Sequence, residues 1–102
     1  MKTFFFILFL FISSSTLFAK DLIVVHADWC SPCKSLIKYL HNNSSSINIK
    51  ISYINFDLDK DIVSKLNVKQ IPSSFIFDDN GKLISSRIGY DKYYQQWLQK
   101  HD

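Results

Sequence analysis

The chain has 102 residues, of which 12 are Lys or Arg and 9 are Asp or Glu, so its formal net charge is +3. This length leaves room for one small hydrophobic core and excludes a second domain. The mild excess of lysine predicts a solvated surface, not a nucleic-acid-binding one, and we expect no nucleic-acid partner.

The N-terminus has the pattern of a secretion signal. Lys2 supplies a positive charge, Phe4 to Ile12 form an unbroken apolar core, and Ala19 offers a small residue before a cleavage point. We therefore predict that residues 1–19 are a signal peptide and that it is removed. An apolar core of this length is too short to span a bilayer comfortably.

Cleavage would leave residues 20–102 as one exported domain, in the periplasm or otherwise secreted across the inner membrane. The alternative is an uncleaved segment drawing on Phe4 to Phe18, which would anchor the domain to the membrane.

After the predicted signal, successive segments space their hydrophobic residues alternately as a strand does and as a helix does. Leu22 to Ala27 is a continuous apolar run, which predicts a strand covered on both faces. A helix follows, with Cys33, Leu36, Ile37 and Leu40 on one face. Alternation from Ile47 to Phe56 then predicts a second strand.

The second half of the chain predicts a short helix, a hairpin and a last helix. Asp59 or Asp61 can cap the short helix, and Asn80-Gly81 is a strong hairpin-turn signal between two apolar runs. Asp91 can cap the last helix. Ile62, Val63 and Leu66 supply the buried stripe of the short helix. The two strands of the hairpin are Phe75–Phe77 and Leu83–Ile88, and one side of the last helix carries Tyr94, Trp97 and Leu98.

The order of elements is therefore βαβαββα. A parallel strand pair joined by a helix, then a hairpin and a closing helix, predicts an α/β fold with a four-stranded mixed sheet and helices on both faces.

The junction between the first strand and the first helix carries Trp29-Cys30-Ser31-Pro32-Cys33. Cys30 falls at the helix N-cap, where amide hydrogen bonds and the helix dipole favour a thiolate. Pro32 has no N–H, which leaves the Cys33 amide as the expected donor to the Cys30 sulfur. We expect Cys30 to be the exposed nucleophile and Cys33 the buried resolving thiol.

Two other interpretations of the cysteine pair are weaker. A zinc site would need a second ligand pair, but the chain has no further cysteine and its histidines lack ligand spacing, so we expect no metal and no cofactor. A purely structural disulfide closing so small a loop would stabilise the chain little.

Motif and element order together resemble the thioredoxin superfamily. The matching segments are Ala27 to Lys34, Val68 to Pro72, the Asn80-Gly81 turn, and Gly89. They cover nearly all of the predicted mature chain, which looks like a minimal thioredoxin fold without the leading strand and helix.

The resemblance implies that Pro72 follows a cis peptide bond beside the disulfide. Ile71 would then present its backbone to an extended substrate segment. Trp29, with Ser31 and Pro32 in the active-site turn, would shape the docking surface. The alternatives are an ordinary loop proline at position 72 and a tryptophan that only closes the sheet edge.

The chain departs from thioredoxins at two positions that concern proton transfer. Val24 occupies the position of a buried aspartate, and Tyr53 that of its accompanying lysine. Proton transfer at Cys33 would then use water or another group. His26 would either tune Cys30 electrostatically or be a packed ring without a chemical role.

The resemblance implies a thiol–disulfide oxidoreductase that reduces protein disulfides, because Pro32 and Ile71 are similar to those of the reducing branch. Its partners would be proteins with disulfides or thiols and a membrane-embedded dithiol electron donor, and we expect a monomer. The rivals are an oxidase using the same dithiol, a non-catalytic binding module and a copper-delivery protein.

Overall fold

The computed structural model describes residues 20–102. The predicted signal peptide, residues 1–19, lies outside the described residues. Within residues 20–102 no helix is both long and apolar enough to cross a membrane. The elements follow the predicted order: β1 (Lys20–His26), α1 (Ser31–Asn42), β2 (Lys50–Asn55), α2 (Lys60–Lys65), β3 (Ser73–Asp78), β4 (Leu83–Ile88) and α3 (Tyr94–His101).

The four strands form one mixed sheet in the order β2-β1-β3-β4. β1 is parallel to β2 and antiparallel to β3, and β3 and β4 form the predicted antiparallel hairpin. In this register Val24 of β1 lies between Tyr53 of β2 and Ser74 of β3. The predicted thioredoxin-like α/β architecture is therefore confirmed.

Helices cover both faces of the sheet, as predicted. Alternate residues of β1 point to opposite faces, which explains why the whole strand is apolar. The first face packs against α1 and α3 in a core of Leu22, Val24, Leu36, Leu40, Ile49, Ile76, Tyr94 and Leu98. The second face packs against α2, with a core of Val25, Val63 and Phe75.

Four local predictions were inaccurate. Asp91 does not cap α3, because its carboxylate accepts from the Tyr93 amide and Tyr93 is the N-cap residue. β2 begins at Lys50 and not at Ile47, because α1 is followed by a 3-10 turn over Ser44–Ser46 before the chain reaches the sheet. Ile62 is 41% exposed, because the six-residue α2 turns mainly Val63 toward the sheet. Asp59 is the N-cap residue, but its carboxylate accepts a hydrogen bond from the Asn55 amide and not from α2.

The hairpin turn is organised by Asp78. Its Oδ1 accepts hydrogen bonds from the amides of Asn80 and Lys82, at 2.9 and 2.8 Å. Gly81 has a φ of +81°, a conformation that residues with a side chain rarely adopt. The Asn-Gly signal therefore predicted this turn correctly.

Candidate active site

The cysteine pair lies at the junction between β1 and α1. β1 ends at His26, and Cys30 is the N-cap residue of α1 with an extended backbone conformation. The Cys33 amide donates to Cys30 Sγ at 3.2 Å, which is the hydrogen bond expected from the absence of an N–H on Pro32. The first turn of α1 thus directs an amide and the positive end of the helix dipole at the Cys30 sulfur.

Cys30 and Cys33 form a disulfide, with their Cα atoms 5.2 Å apart. Cys30 is 6% exposed and Cys33 is fully buried. The order of exposure is the expected one, but Cys30 is buried in the disulfide form, where an exposed nucleophile was expected. Its sulfur is bonded to Cys33, and Phe56 and Ile71 pack against the pair.

The segment before β3 forms one wall of the site. The peptide bond between Ile71 and Pro72 is cis. Pro72 is buried and Ile71 half-buried. The Gly89 amide donates to the Pro72 carbonyl at 2.7 Å, and the Ser73 hydroxyl donates to the Gln70 carbonyl. These bonds fix the segment from both sides, so Ile71 is held against the cysteine pair.

Trp29 lies at the surface and does not close the sheet edge. It is 67% exposed, and its indole Nε1 donates to Asp57 Oδ2 at 2.8 Å. Ser31 and Pro32 of the same turn are also exposed. Beside the indole runs an open groove of about 440 Å³, lined by Trp29, Phe56, Lys69, Gln70 and Ile71.

Asp57, Phe56 and Lys69 were not predicted as site residues. β1 and β2 are parallel, so their carboxyl ends meet at one edge of the sheet. The Phe56 amide donates to the His26 carbonyl at 2.7 Å, which places the residues after β2 beside the motif. Phe56 ends the predicted second strand and Asp57 follows it directly, and this position at the end of a parallel strand was the signal that could have identified them.

The buried groups level with Val24 are uncharged. Val24 is fully buried, and neighbouring Ser74 shares a hydrogen bond of 2.8 Å with the Tyr94 hydroxyl. Burial raises the pKa of Tyr94 to about 12, and burial also raises the pKa of Tyr53. Both phenols therefore keep their protons at neutral pH and cannot act as the base that the missing aspartate would supply.

His26 is half-buried, and its ring meets that of Tyr53 edge-on, with centroids 6.1 Å apart. It is therefore at least partly a packing residue. Among residues 20–102, no three side chains of His, Cys, Asp or Glu converge in a way that could hold a metal ion.

A mixed four-stranded sheet with a Cys-x-x-Cys disulfide at the start of its first described helix defines a thioredoxin-like dithiol protein. The family model described as Thioredoxin matches residues 14–100. The chain belongs to the thioredoxin family.

Several thioredoxins are similar in sequence. Thioredoxin-like protein 1 of Schizosaccharomyces pombe is 37% identical over 67 residues, which are 63% of this chain and 23% of that protein. A thioredoxin of Rickettsia bellii is 29% identical over 62% of this chain and 61% of its own length. The chain thus spans less than two thirds of each of these two relatives. A thioredoxin of Rickettsia typhi is 30% identical over 72% of this chain and 73% of its own length.

Solved structures of thioredoxins share the fold. The thioredoxin of Fasciola hepatica superposes with a TM-score of 0.76 over 93% of this chain and 91% of its own, at 18% identity. That of Plasmodium falciparum gives a TM-score of 0.76 over 90% and 91%, at 19% identity.

Proposed function

We propose that the chain is a thiol–disulfide oxidoreductase that reduces or exchanges disulfides in protein substrates through Cys30 and Cys33. The observation that carries this proposal is the disulfide at the N-terminus of α1, with the Cys33 amide donating to Cys30 Sγ. A sulfur in that position is stabilised as a thiolate, which is the reactive form.

The reduced dithiol would act in two steps. The Cys30 thiolate attacks one sulfur of the substrate disulfide, whose S–S bond breaks, and the other substrate sulfur leaves as a thiolate and takes up a proton. Cys33 then loses its proton and attacks the Cys30 sulfur, which releases the second substrate thiol. Two electrons pass to the substrate, and Cys30 and Cys33 end as a disulfide.

Substrate would dock along the segment before β3. Ile71 and Pro72 lie against the cysteine pair, and an extended substrate segment would pair with the Ile71 backbone as an added strand. Trp29 would cover one side of that segment, and the exposed Ser31 and Pro32 would complete the docking surface. This arrangement would align the substrate disulfide with Cys30 for in-line attack.

Proton release from Cys33 would use water. Val24 supplies no carboxylate, and the phenols beside it stay protonated at neutral pH because burial raises the pKa of Tyr94 and Tyr53. The open groove at Trp29 would give water access beside the substrate.

The direction and place of the reaction belong to the same proposal. The similarity of Pro32 and Ile71 to the residues of the reducing branch supports reduction of substrates over their oxidation. The signal-like pattern of residues 1–19 favours the periplasm or another site across the inner membrane, with membrane anchoring if that segment is retained. The chain would act there as a monomer. A membrane-embedded dithiol donor would reduce its disulfide after each turnover. The competing functions are an oxidase with the same dithiol and a binding module that does not use it.

A trapping experiment tests the proposal. Cys33→Ser should accumulate a mixed disulfide between Cys30 and a substrate protein, seen by mass spectrometry under non-reducing conditions. The matched Cys30→Ser variant should form none and should lose turnover. Full disulfide-reductase activity in either variant would contradict the assignment, and undiminished substrate binding with no exchange in the wild type would favour the binding module.

A further inference from the structure

The groove beside the disulfide continues into a second concavity. The first, of about 440 Å³, runs from Trp29 to Ile71. The second, of about 370 Å³, lies between α2 and the segment before β3. Phe56 and Lys69 line both, and Phe56 also packs against the cysteine pair. A bound segment that reaches the disulfide can therefore extend past Lys69.

Lys69 is the charged residue that the two concavities share. Lys69 and Lys60 are exposed at its wall. In the part of the chain that the structure describes, the only ion pair joins Arg87 to Asp91, so neither lysine is held by a carboxylate. Asp57, the one acidic residue lining the second concavity, already accepts the Trp29 indole N–H.

We infer that the preferred substrate segment carries an acidic side chain two residues from its half-cystine, positioned over Lys69. This inference rests on the proposed function, because it concerns the occupant of the same groove. In an extended segment, side chains two residues apart lie on the same side and about 6 to 7 Å apart. Lys69 and Ile71 line the same groove, so a half-cystine beside Ile71 would bring such a carboxylate within reach of the ammonium group.

The charge of the substrate side chain determines the preference among substrates, because the apolar walls of the groove can contact many kinds of side chain. Phe56 and Trp29 offer contact area to any apolar neighbour of the half-cystine. An exposed ion pair contributes up to about 1 kcal/mol, which corresponds to roughly a fivefold change in rate or affinity, and salt screens it. We therefore expect a preference of about threefold.

Matched disulfide peptides test the inference. Peptides identical except for Glu, Gln or Lys at the second position from the half-cystine are reduced by the dithiol form of the full chain at low ionic strength. For the wild type, kcat/KM should be about threefold higher for the Glu peptide than for the Gln peptide, and lowest for the Lys peptide. Raising the salt concentration should narrow the differences.

Two variants with the same charge change separate the site from the overall charge. Lys69→Glu should reverse the order of the peptides. Lys82→Glu, in the exposed turn at the far end of the hairpin, should leave it unchanged. Equal reduction of all peptides by the wild type overturns the inference and leaves the proposed function intact. A wild type that reduces none of them overturns the proposed function, and the inference with it.

Discussion

Reduction of the Cys30–Cys33 disulfide should leave the fold intact and lower its stability only slightly. The cysteines are three residues apart, and closing so short a loop restricts the unfolded chain by about 2 kcal/mol in the chain-entropy model. In the reduced form, the N-terminus of α1 stabilises the Cys30 thiolate by about 1 kcal/mol, which offsets part of the stability lost with the disulfide. The oxidised chain should therefore be the more stable by about 1 kcal/mol.

The reduced chain should remain folded because the two larger core clusters contain neither cysteine. Urea unfolding with and without a thiol reductant measures the difference directly, and thermal unfolding should show a loss of about 4 to 8 °C on reduction. The control is the double variant Cys30→Ser/Cys33→Ser, whose stability the reductant should not change.

Two outcomes would refute this reasoning. If the reduced chain no longer unfolds cooperatively, the disulfide is a structural staple and not a redox pair that cycles within a stable fold. If the reduced chain is the more stable form, the dithiol is an oxidant, since stabilisation of the reduced state is what makes a disulfide strongly oxidising.

Three further predictions follow from buried and exposed contacts. Burial raises the pKa of Tyr94 to about 12, against 10.0 for a free tyrosine, so the native state keeps this proton to higher pH than the unfolded chain does. The free energy of unfolding should therefore fall by about 2 to 3 kcal/mol as the pH rises from about 10 to 12. In urea titrations, Tyr94→Phe should lack this part of the loss. Leu36→Ala, at a fully buried position, should cost about 2 to 5 kcal/mol in urea unfolding, whereas Lys38→Ala on the exposed side of α1 should change it by less than about 0.5 kcal/mol. Asp57→Ala should shift the Trp29 indole N–H resonance while lowering stability by less than about 1 kcal/mol, and an unmoved resonance would show that the hydrogen bond is not formed in solution.

The periodicity of the hydrophobic residues and the position of the cysteine motif predicted most of the fold and the pairing of Cys30 with Cys33. The apolar run of β1 required cover on both faces, and α1 and α2 supply it from opposite sides. The N-cap role of Cys30 and the Cys33 amide bond followed from local rules, since Pro32 leaves few other donors near that sulfur.

Features that depend on tertiary placement could not be predicted in the same way. Ile62 is apolar, but a six-residue helix has fewer than two turns, and its packing against the sheet decides which side chain is buried. The hydrogen bond between Trp29 and Asp57 joins residues 28 positions apart, and the groove exists only once β2 and the segment before β3 meet beside the motif. Sequence patterns specify such neighbours only after the strand order is known.

The measurement that tests the central claim most directly is the reduction potential of the Cys30/Cys33 pair, titrated against glutathione or dithiothreitol and read by Trp29 fluorescence in a Trp97→Phe background. A potential of about −270 mV, as for thioredoxin, is the predicted result for a reductase whose disulfide is reduced by a dedicated donor. A value near about −120 mV would make the chain an oxidant, and a pair that never forms the intramolecular disulfide would contradict the catalytic account altogether.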